Sequence, residues 1–344
     1  MSQMQQDAVA KRLEEGLKDR WYALCPASFV KEKPVSLNRL GTHLAVWRGT
    51  DGKVHALEDR CPHRGAKLSQ GTILNDTLKC PYHGVEVRCD GVATSVPASP
   101  GCKLEGTRAT FNYPVMEVAD ILFVYNASKP IDTPPPFTLP PELGDDAQYS
   151  RFLCYVEWKC DYRYVLDNVM DPMHGTFLHK QSHSMFQGGT QMKFGIEATE
   201  TGFLFAKEGQ RNVNFDWSEF ADTGGQWARL EIPYPKTGGP GGGFIIIGMV
   251  TPISPELCGV YFWRVRKVAP GWQRDTWRFL YRDRLEARHW HVLEQDRVLL
   301  EDLAPNANDP RHEHLYDHDM GVVRLRRVMR SLAQEQIEAE KAGA

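Results

Sequence analysis

The chain opens on "MSQMQQDAVAKRLEEGLKDRW", a polar stretch with apolar residues at helical spacing, which predicts a helix over residues 8–22. From 27 to about 127 the pattern changes to short alternating runs, "THLAVWRG", "KVHALEDR", "GVEVRC" and "ILFVYNA", separated by Gly, Asp and Pro. Period-two alternation with that punctuation predicts a small antiparallel β domain. Residues 128–146, "SKPIDTPPPFTLPPELGDD", hold six prolines and few large apolar side chains, and read as an extended linker. Beyond it, strand-like runs at 151–160, 203–207, 228–232, 243–251 and 259–268 alternate with helical patterns near 161–172 and 285–303. A last helix, "MGVVRLRRVMRSLAQEQIEAEK", closes the chain, and no internal repeat is found. The expected fold class is α+β. Residues 1–127 form a helix and β domain, 128–146 the linker, and 147–344 an antiparallel sheet with packed helices.

Length and charge narrow the functions without choosing one. A chain of 344 residues exceeds one comfortable core and agrees with two domains. A net charge of −3 offers no electrostatic case for nucleic acid or an anionic membrane. The N-terminus lacks the apolar core of a signal peptide, and the most apolar run, "FIIIGMVTPI" (244–253), is too short to span a bilayer. A reducing cytoplasm is the expected location, where paired Cys and His side chains serve as metal ligands rather than disulfide partners.

The first such pairs lie in "CPHRGAKLSQGTILNDTLKCPYHG", residues 61–84: Cys61 and His63, then sixteen residues, then Cys80 and His83. Structural zinc sites usually pair like with like, Cys with Cys and His with His. Here each half gives one of each, which is what a Rieske [2Fe–2S] cluster needs: two thiolates on one iron and two imidazoles on the other. Gly65, Pro81 and Gly84 shape tight loops that can turn backbone N–H groups toward the sulfurs. On these residues the stretch resembles the Rieske domain of the ring-hydroxylating oxygenases. Rieske proteins of respiratory complexes carry an additional cysteine in each loop; Ala66 and Tyr82 stand at those places, so no disulfide is expected. Many oxygenases have Trp where this chain has Val85. Cys89 and Cys102 lack ligand spacing and read as ordinary thiols.

A second constellation is "DNVMDPMHGTFLHKQSH", residues 167–183. Asp167, Asn168, Asp171 and His174 recur at helical spacing, so most share one face. His179 lies five residues past His174, and the segment must bend near Gly175 if both imidazoles are to meet one ion. A carboxylate would complete a 2-His-1-carboxylate set, which leaves positions open on Fe(II). "HWHVLEQDRVLLEDL" (289–303) offers Glu294, Asp296, Glu301 and Asp302. Val292, Leu293, Val298, Leu299, Leu300 and Leu303 define its apolar side. Asp296 falls within that stripe, where a carboxylate is costly unless a metal compensates it. Asp296 is therefore the expected third ligand.

The resemblance now spans nearly the whole chain and is nearest the single-subunit-type members such as vanillate and dicamba O-demethylases and caffeine N-demethylases. It implies a helix-grip-like C-terminal domain and the oxygenase component of a multicomponent system. It also implies electrons from NAD(P)H through a separate reductase or ferredoxin, and a homotrimer or stacked trimers. In such a trimer Asp171 bridges the cluster of one subunit and the iron of the next, and Asn168 stands near the iron. A small aromatic acid or ether is the expected substrate, with an N-demethylase of an alkaloid or other amine as the alternative; the same ligands also suit a zinc hydrolase, and the β domain alone an electron carrier. Weaker signals are read as structural. "RHEHLYDH" (311–318) is a polar loop, Arg324, Arg326, Arg327 and Arg330 are the wet side of the last helix against a stripe of Val323, Met329 and Leu332, and "KTGGPGGG" (236–243) is a mobile loop.

Overall fold

A computed structural model of the chain describes residues 3–179, 193–208, 217–234, 242–305, 307–309 and 311–342. The chain divides into two compact units. One holds Glu15–Phe137 with Thr251–Ser254; the other holds the residues up to Glu14, Thr138–Val250, and everything from Pro255 onward.

The first unit is all antiparallel β. Trp21–Pro26, Ile121–Tyr125 and Val115–Val118 form one three-stranded sheet. Val35–Arg39, Thr42–Arg48, Val54–Glu58 and Asn112–Tyr113 form a second sheet, and Thr72–Leu74, Thr77–Lys79, Glu86–Arg88 and Ala93–Ser95 a third. Leu40 and Gly41, at φ 56° and 67°, make the two-residue turn whose twist suits a hairpin. The opening helix, α1 (Gln3–Glu15), starts and stops earlier than the apolar spacing predicts. Gly16 ends it at φ 89°, and Trp21 is already in a strand paired with Tyr125.

Most of α1 also belongs to the other unit, where the sequence pattern had joined it to the β domain. The reason is side-chain pairing. Arg12 donates to Gln336 at 2.9 Å and to Glu340 at 2.8 Å, both on the last helix, and the Tyr162 hydroxyl donates to the Leu13 carbonyl. The linker is divided likewise: residues as far as Phe137 go with the β unit, and α2 (Pro141–Gly144) follows in the second.

The second unit is built on a seven-stranded sheet. Its order is Tyr149–Trp158, Leu257–Lys267, Gly242–Ser254, Gln226–Tyr234, Trp217–Asp222, Gly202–Lys207, Phe194–Ala198. Two of these strands, Phe194–Ala198 and Trp217–Asp222, were not legible as apolar runs because Glu, Asp and Ser interrupt them. Of "KTGGPGGG", residues 236–241 lie outside the described residues, and Gly242 and Gly243 begin a strand. Helices α3 (Tyr162–Val169), α4 (His174–Leu178), α5 (Trp272–Leu280), α6 (Glu286–Glu301) and α7 (Met320–Ala342) accompany the sheet. Phe152 and Phe244 of the sheet pack with Trp277 and Tyr281 of the α5 region in one buried cluster.

Between α5 and α6 the helix does not stop but widens into a π turn over Tyr281–Leu285. Residues seven apart lie on one face of an α-helix after about two turns. A π turn takes up one residue more, so Tyr281 and His289, eight apart, come to the same face as Asp296.

The last helix buries Gly321, Val322, Leu325, Met329, Ala333 and Ile337. This stripe is rotated from the expected Val323, Met329 and Leu332, and Gly321 lets it approach closely: a Cβ there would sit 2.6 Å from the Phe205 ring. Arg324, Arg327 and Arg330 are exposed. Arg326 is not on the wet side; it pairs with Asp167 at 2.7 Å and with Glu313 at 2.8 Å. Burial pushes the Asp167 carboxyl up to about 6, although the Arg326 guanidinium acts to lower it. Arg326→Ala removes that lowering partner. A carboxyl whose folded pKa is raised destabilises the fold as pH climbs through that pKa. Loss of about 2 kcal/mol is expected at pH 7.5, from charged hydrogen bonds left unmade. The deficit relative to the parent should shrink at pH 5, which urea unfolding at both pH values checks.

Candidate metal centres

In the β unit, two loops present the first four candidate ligands and close with the same hydrogen bonds. Cys61 N–H donates to the Ala66 carbonyl at 2.8 Å and Gly65 N–H to the Cys61 carbonyl at 2.9 Å. In the second loop Cys80 N–H donates to Val85 at 2.8 Å and Gly84 N–H to Cys80 at 3.0 Å. Gly65 and Gly84 allow this by taking φ 76° and 72°. Both sulfurs are buried in the core cluster that contains Trp47, Leu57, Leu78 and Val85. Cys89 and Cys102 pack at its margin, and all eight cysteines are free.

Burial pushes the Cys61 thiol up to about 11, with the neighbouring Cys80 thiol adding to the rise; backbone N–H groups of His63 and Arg64 act against it. Two adjacent buried sulfurs, with N–H donors aimed at that of Cys61, suit thiolates neutralised by a cation. The imidazoles lie toward solvent, with His63 Nδ1 and His83 Nδ1 3.1 Å apart. Tyr82, 57% exposed, packs on His83 with ring centres 3.8 Å apart and planes tilted by 41°. Sulfurs inside and imidazoles outside is the donor set and polarity that a Rieske cluster requires.

In the second unit, ligand atoms of His174, His179 and Asp296 all lie within 4.8 Å of one another. Asp296 Oδ1 is 3.1 Å from His179 Nε2 and 3.6 Å from His174 Nε2. The expected bend is present: α4 begins at His174 and ends at Leu178, so His179 turns back beside its partner. His174 Nδ1–H donates to the Asp171 carbonyl and His179 Nδ1–H to Gln295 Oε1 at 3.0 Å. With both Nδ1 atoms occupied as donors, both Nε2 lone pairs point at one place. Burial acts to lower the His174 pKa, but the Asp171 side chain and the Asp296 charge outweigh it and leave it raised. Two imidazoles and one carboxylate are the donor set of a facial 2-His-1-carboxylate iron site.

Asp296 is buried between Leu293 and Leu300, on the stripe where the pattern placed it. Other members of that stripe are not: Val298 is 54% exposed, and Leu299 and Leu303 are also exposed. Glu294 and Glu301 lie on the other side, both paired with Arg297. Asn168 Nδ2 stands 3.5 Å from Asp296 Oδ1.

Asp171 meets the His174 ring through its backbone. Its carbonyl, rather than its carboxylate, takes the His174 imidazole N–H. Its carboxylate oxygens accept from Met173 N–H at 2.7 Å and His174 N–H at 3.2 Å, capping α4, with one oxygen 3.7 Å from His174 Nδ1. Gln295 was missed altogether. Its neighbour Asp296 was the only signal, and an amide beside a ligand acquires meaning only when the second imidazole is placed. Gln295→Leu should weaken Fe(II) binding about 10- to 100-fold while Gln295→Glu, which still accepts, should largely keep it. Metal titration of both variants checks this.

A β domain with paired Cys/His loops, joined in one chain to a long antiparallel sheet with a 2-His-1-carboxylate group, is the architecture of Rieske oxygenases. Residues 20–114 match the Rieske [2Fe-2S] domain, and residues 158–335 match the vanillate O-demethylase oxygenase C-terminal domain. The chain belongs to that family of Rieske-type oxygenases. It is 32% identical over 165 residues to a vanillate O-demethylase oxygenase subunit of Pseudomonas sp. strain HR199, covering 48% of this chain and 46% of the relative. It is 31% identical over 166 residues to the dicamba O-demethylase oxygenase component of Stenotrophomonas maltophilia, covering 48% of each. These matches thus span about half the length of the curated relatives. Dicamba monooxygenase bound to dicamba shares the fold with a TM-score of 0.71 at 22% identity, over 94% of this chain and 99% of that one. The oxygenase of carbazole 1,9a-dioxygenase, in complex with its ferredoxin, gives 0.75 at 20% identity, over 96% and 94%. No helix among the described residues is long and apolar enough to cross a membrane.

Proposed function

We propose that the protein is the terminal oxygenase component of a multicomponent system that hydroxylates or oxidatively O-demethylates a small aromatic acid or ether. The convergence of His174 Nε2, His179 Nε2 and Asp296 Oδ1 carries this reading. Cys61, His63, Cys80 and His83 hold the cluster, and His174, His179 and Asp296 hold the iron. When bound, the two centres supply stored electrons and O2 activation, which no side chain here can provide. The chain's own part is to hold and to aim. Asp171 and Gln295 fix the imidazole tautomers, and the Asn168 amide restrains the Asp296 carboxylate. For demethylation, R–OCH3, O2, NAD(P)H and one proton give R–OH, formaldehyde, NAD(P)+ and water.

The electrons enter through a separate reductase or ferredoxin, in keeping with the oxygenase–ferredoxin complex of the carbazole system and the component names of the relatives. Asp171 then bridges from His174 to a cluster histidine of the neighbouring subunit in a trimer. The test is turnover with a reductase, NADH and methoxybenzoates, following O2 uptake and formaldehyde. Substrate-dependent consumption of both NADH and O2 supports the proposal. A zinc-loaded protein that turns over without reductant would replace it with the hydrolase reading.

A further inference from the structure

We infer that His289 and Tyr281 form the polar end of the substrate site, and that the substrate is a single-ring aromatic carboxylate whose reacting position lies at the opposite end of the ring. This rests on reading His174, His179 and Asp296 as the iron ligands.

Two buried atoms in this region lack a nitrogen or oxygen partner among the described residues, and one of them has a sulfur beside it. His289 Nδ1 and the Tyr281 hydroxyl find no hydrogen-bonding nitrogen or oxygen among the described residues. The hydroxyl has only the Cys154 thiol beside it. Buried polar groups are rarely left this way, because desolvating an unpaired donor or acceptor is costly, and such a pair calls for a ligand or water. The walls around them are flat and aromatic. Phe244 lies 4.7 Å from the His289 ring, Tyr281 5.6 Å from it, and Phe152 stacks on Tyr281 at 4.2 Å. Aromatic walls with a few convergent polar atoms are what a planar ligand needs.

The direction of the site follows from α6. His289 and Asp296 are seven residues apart on one face, about 10 Å along the axis. Leu293 lies between them and is buried. Read along that face, the order is polar pair, apolar floor, metal ligand. About 10 Å accommodates one aromatic ring with a small group at each end.

Charge selects the polar group. Arg264 is 3% exposed, lies at the Cys154 thiol, and exerts its positive field on Tyr281. The nearby carboxylate, Glu286, is engaged by Arg282. A hydroxyl and an imidazole N–H backed by a guanidinium suit an oxyanion, not a cation.

The test is calorimetric titration of the holoprotein with 4-methoxybenzoate, its methyl ester and anisole, repeated on His289→Phe, which keeps the ring contact with Phe244. The parent should bind the benzoate at least about 10-fold tighter than the ester, as loss of one charged hydrogen bond would give. In His289→Phe the preference should fall to within about 2-fold, with iron and labile sulfide unchanged. Equal affinity for benzoate and ester in the parent, an undiminished preference in the variant, or no binding of the benzoate would each overturn the inference. Iron analysis of the parent is read separately: a protein without mononuclear iron refutes the proposed function, whereas the binding preference is measured regardless.

Discussion

Asp296→Ala protein is expected to lose its mononuclear iron and all turnover, while the absorption and EPR spectra of its cluster stay those of the parent. The Asp296 carboxylate is buried and is the one anionic group that contacts both His174 Nε2 and His179 Nε2 among the described residues. Removing it leaves two neutral nitrogens, a set that holds Fe(II) weakly. The cluster ligands belong to the other compact unit and keep their own core and loops. Glu294 supplies the control. It is exposed and bound to Arg297, so Glu294→Ala should bind iron and turn over normally. Iron analysis, cluster EPR and reductase-coupled turnover on the two variants decide it. Retention of iron by Asp296→Ala, with loss in Glu294→Ala, would show that the face of α6 has been read wrongly.

Asp171→Asn should keep both metal centres and lose electron transfer between them. The local fold should tolerate the change, because the Asn side-chain oxygen can still accept from Met173 N–H and the carbonyl that orients His174 is unaltered. What disappears is the negative charge 3.7 Å from His174 Nδ1. That charge favours a protonated neighbour and, on the proposed trimer, joins the His174 side to a cluster histidine of the next subunit. Rapid mixing of reduced, substrate-bound protein with O2 should show cluster oxidation slowed by at least about 100-fold, the scale of losing a positioned, charge-assisted contact. An undiminished rate would leave Asp171 as a helix cap only, with electrons passing elsewhere.

The parts of the fold that could be read from the chain were those where one physical signal dominated. Alternation located half of the described strands, nine of eighteen, and the buried stripe of α6 marked Asp296 as the carboxylate that needed a reason to be there. Where signals competed, the reading shifted. The rest of the α6 stripe included Val298 and Leu299, which are apolar but exposed, since only three of its positions face the interior. Arg326 resembled its exposed neighbours in sequence, yet Asp167 and Glu313, 159 and 13 residues away, draw it inward. Gln295 and the π turn could not be seen at all. Each depends on a partner brought near by the fold, and neither changes the local pattern of apolar and polar residues.

The π turn at Tyr281–Leu285 has a mechanical consequence. A helix with one extra residue has the same phase on both sides of it, so the surplus can sit at one place or another without disturbing the ends. Were the surplus to travel along the helix by exchanging backbone hydrogen bonds one at a time, only the residues it passed would rotate, each by about 100°. His289 is four residues beyond its present position, and Asp296 eleven. A shift of one turn would reach the imidazole, whereas the carboxylate would stay in register with His174 and His179.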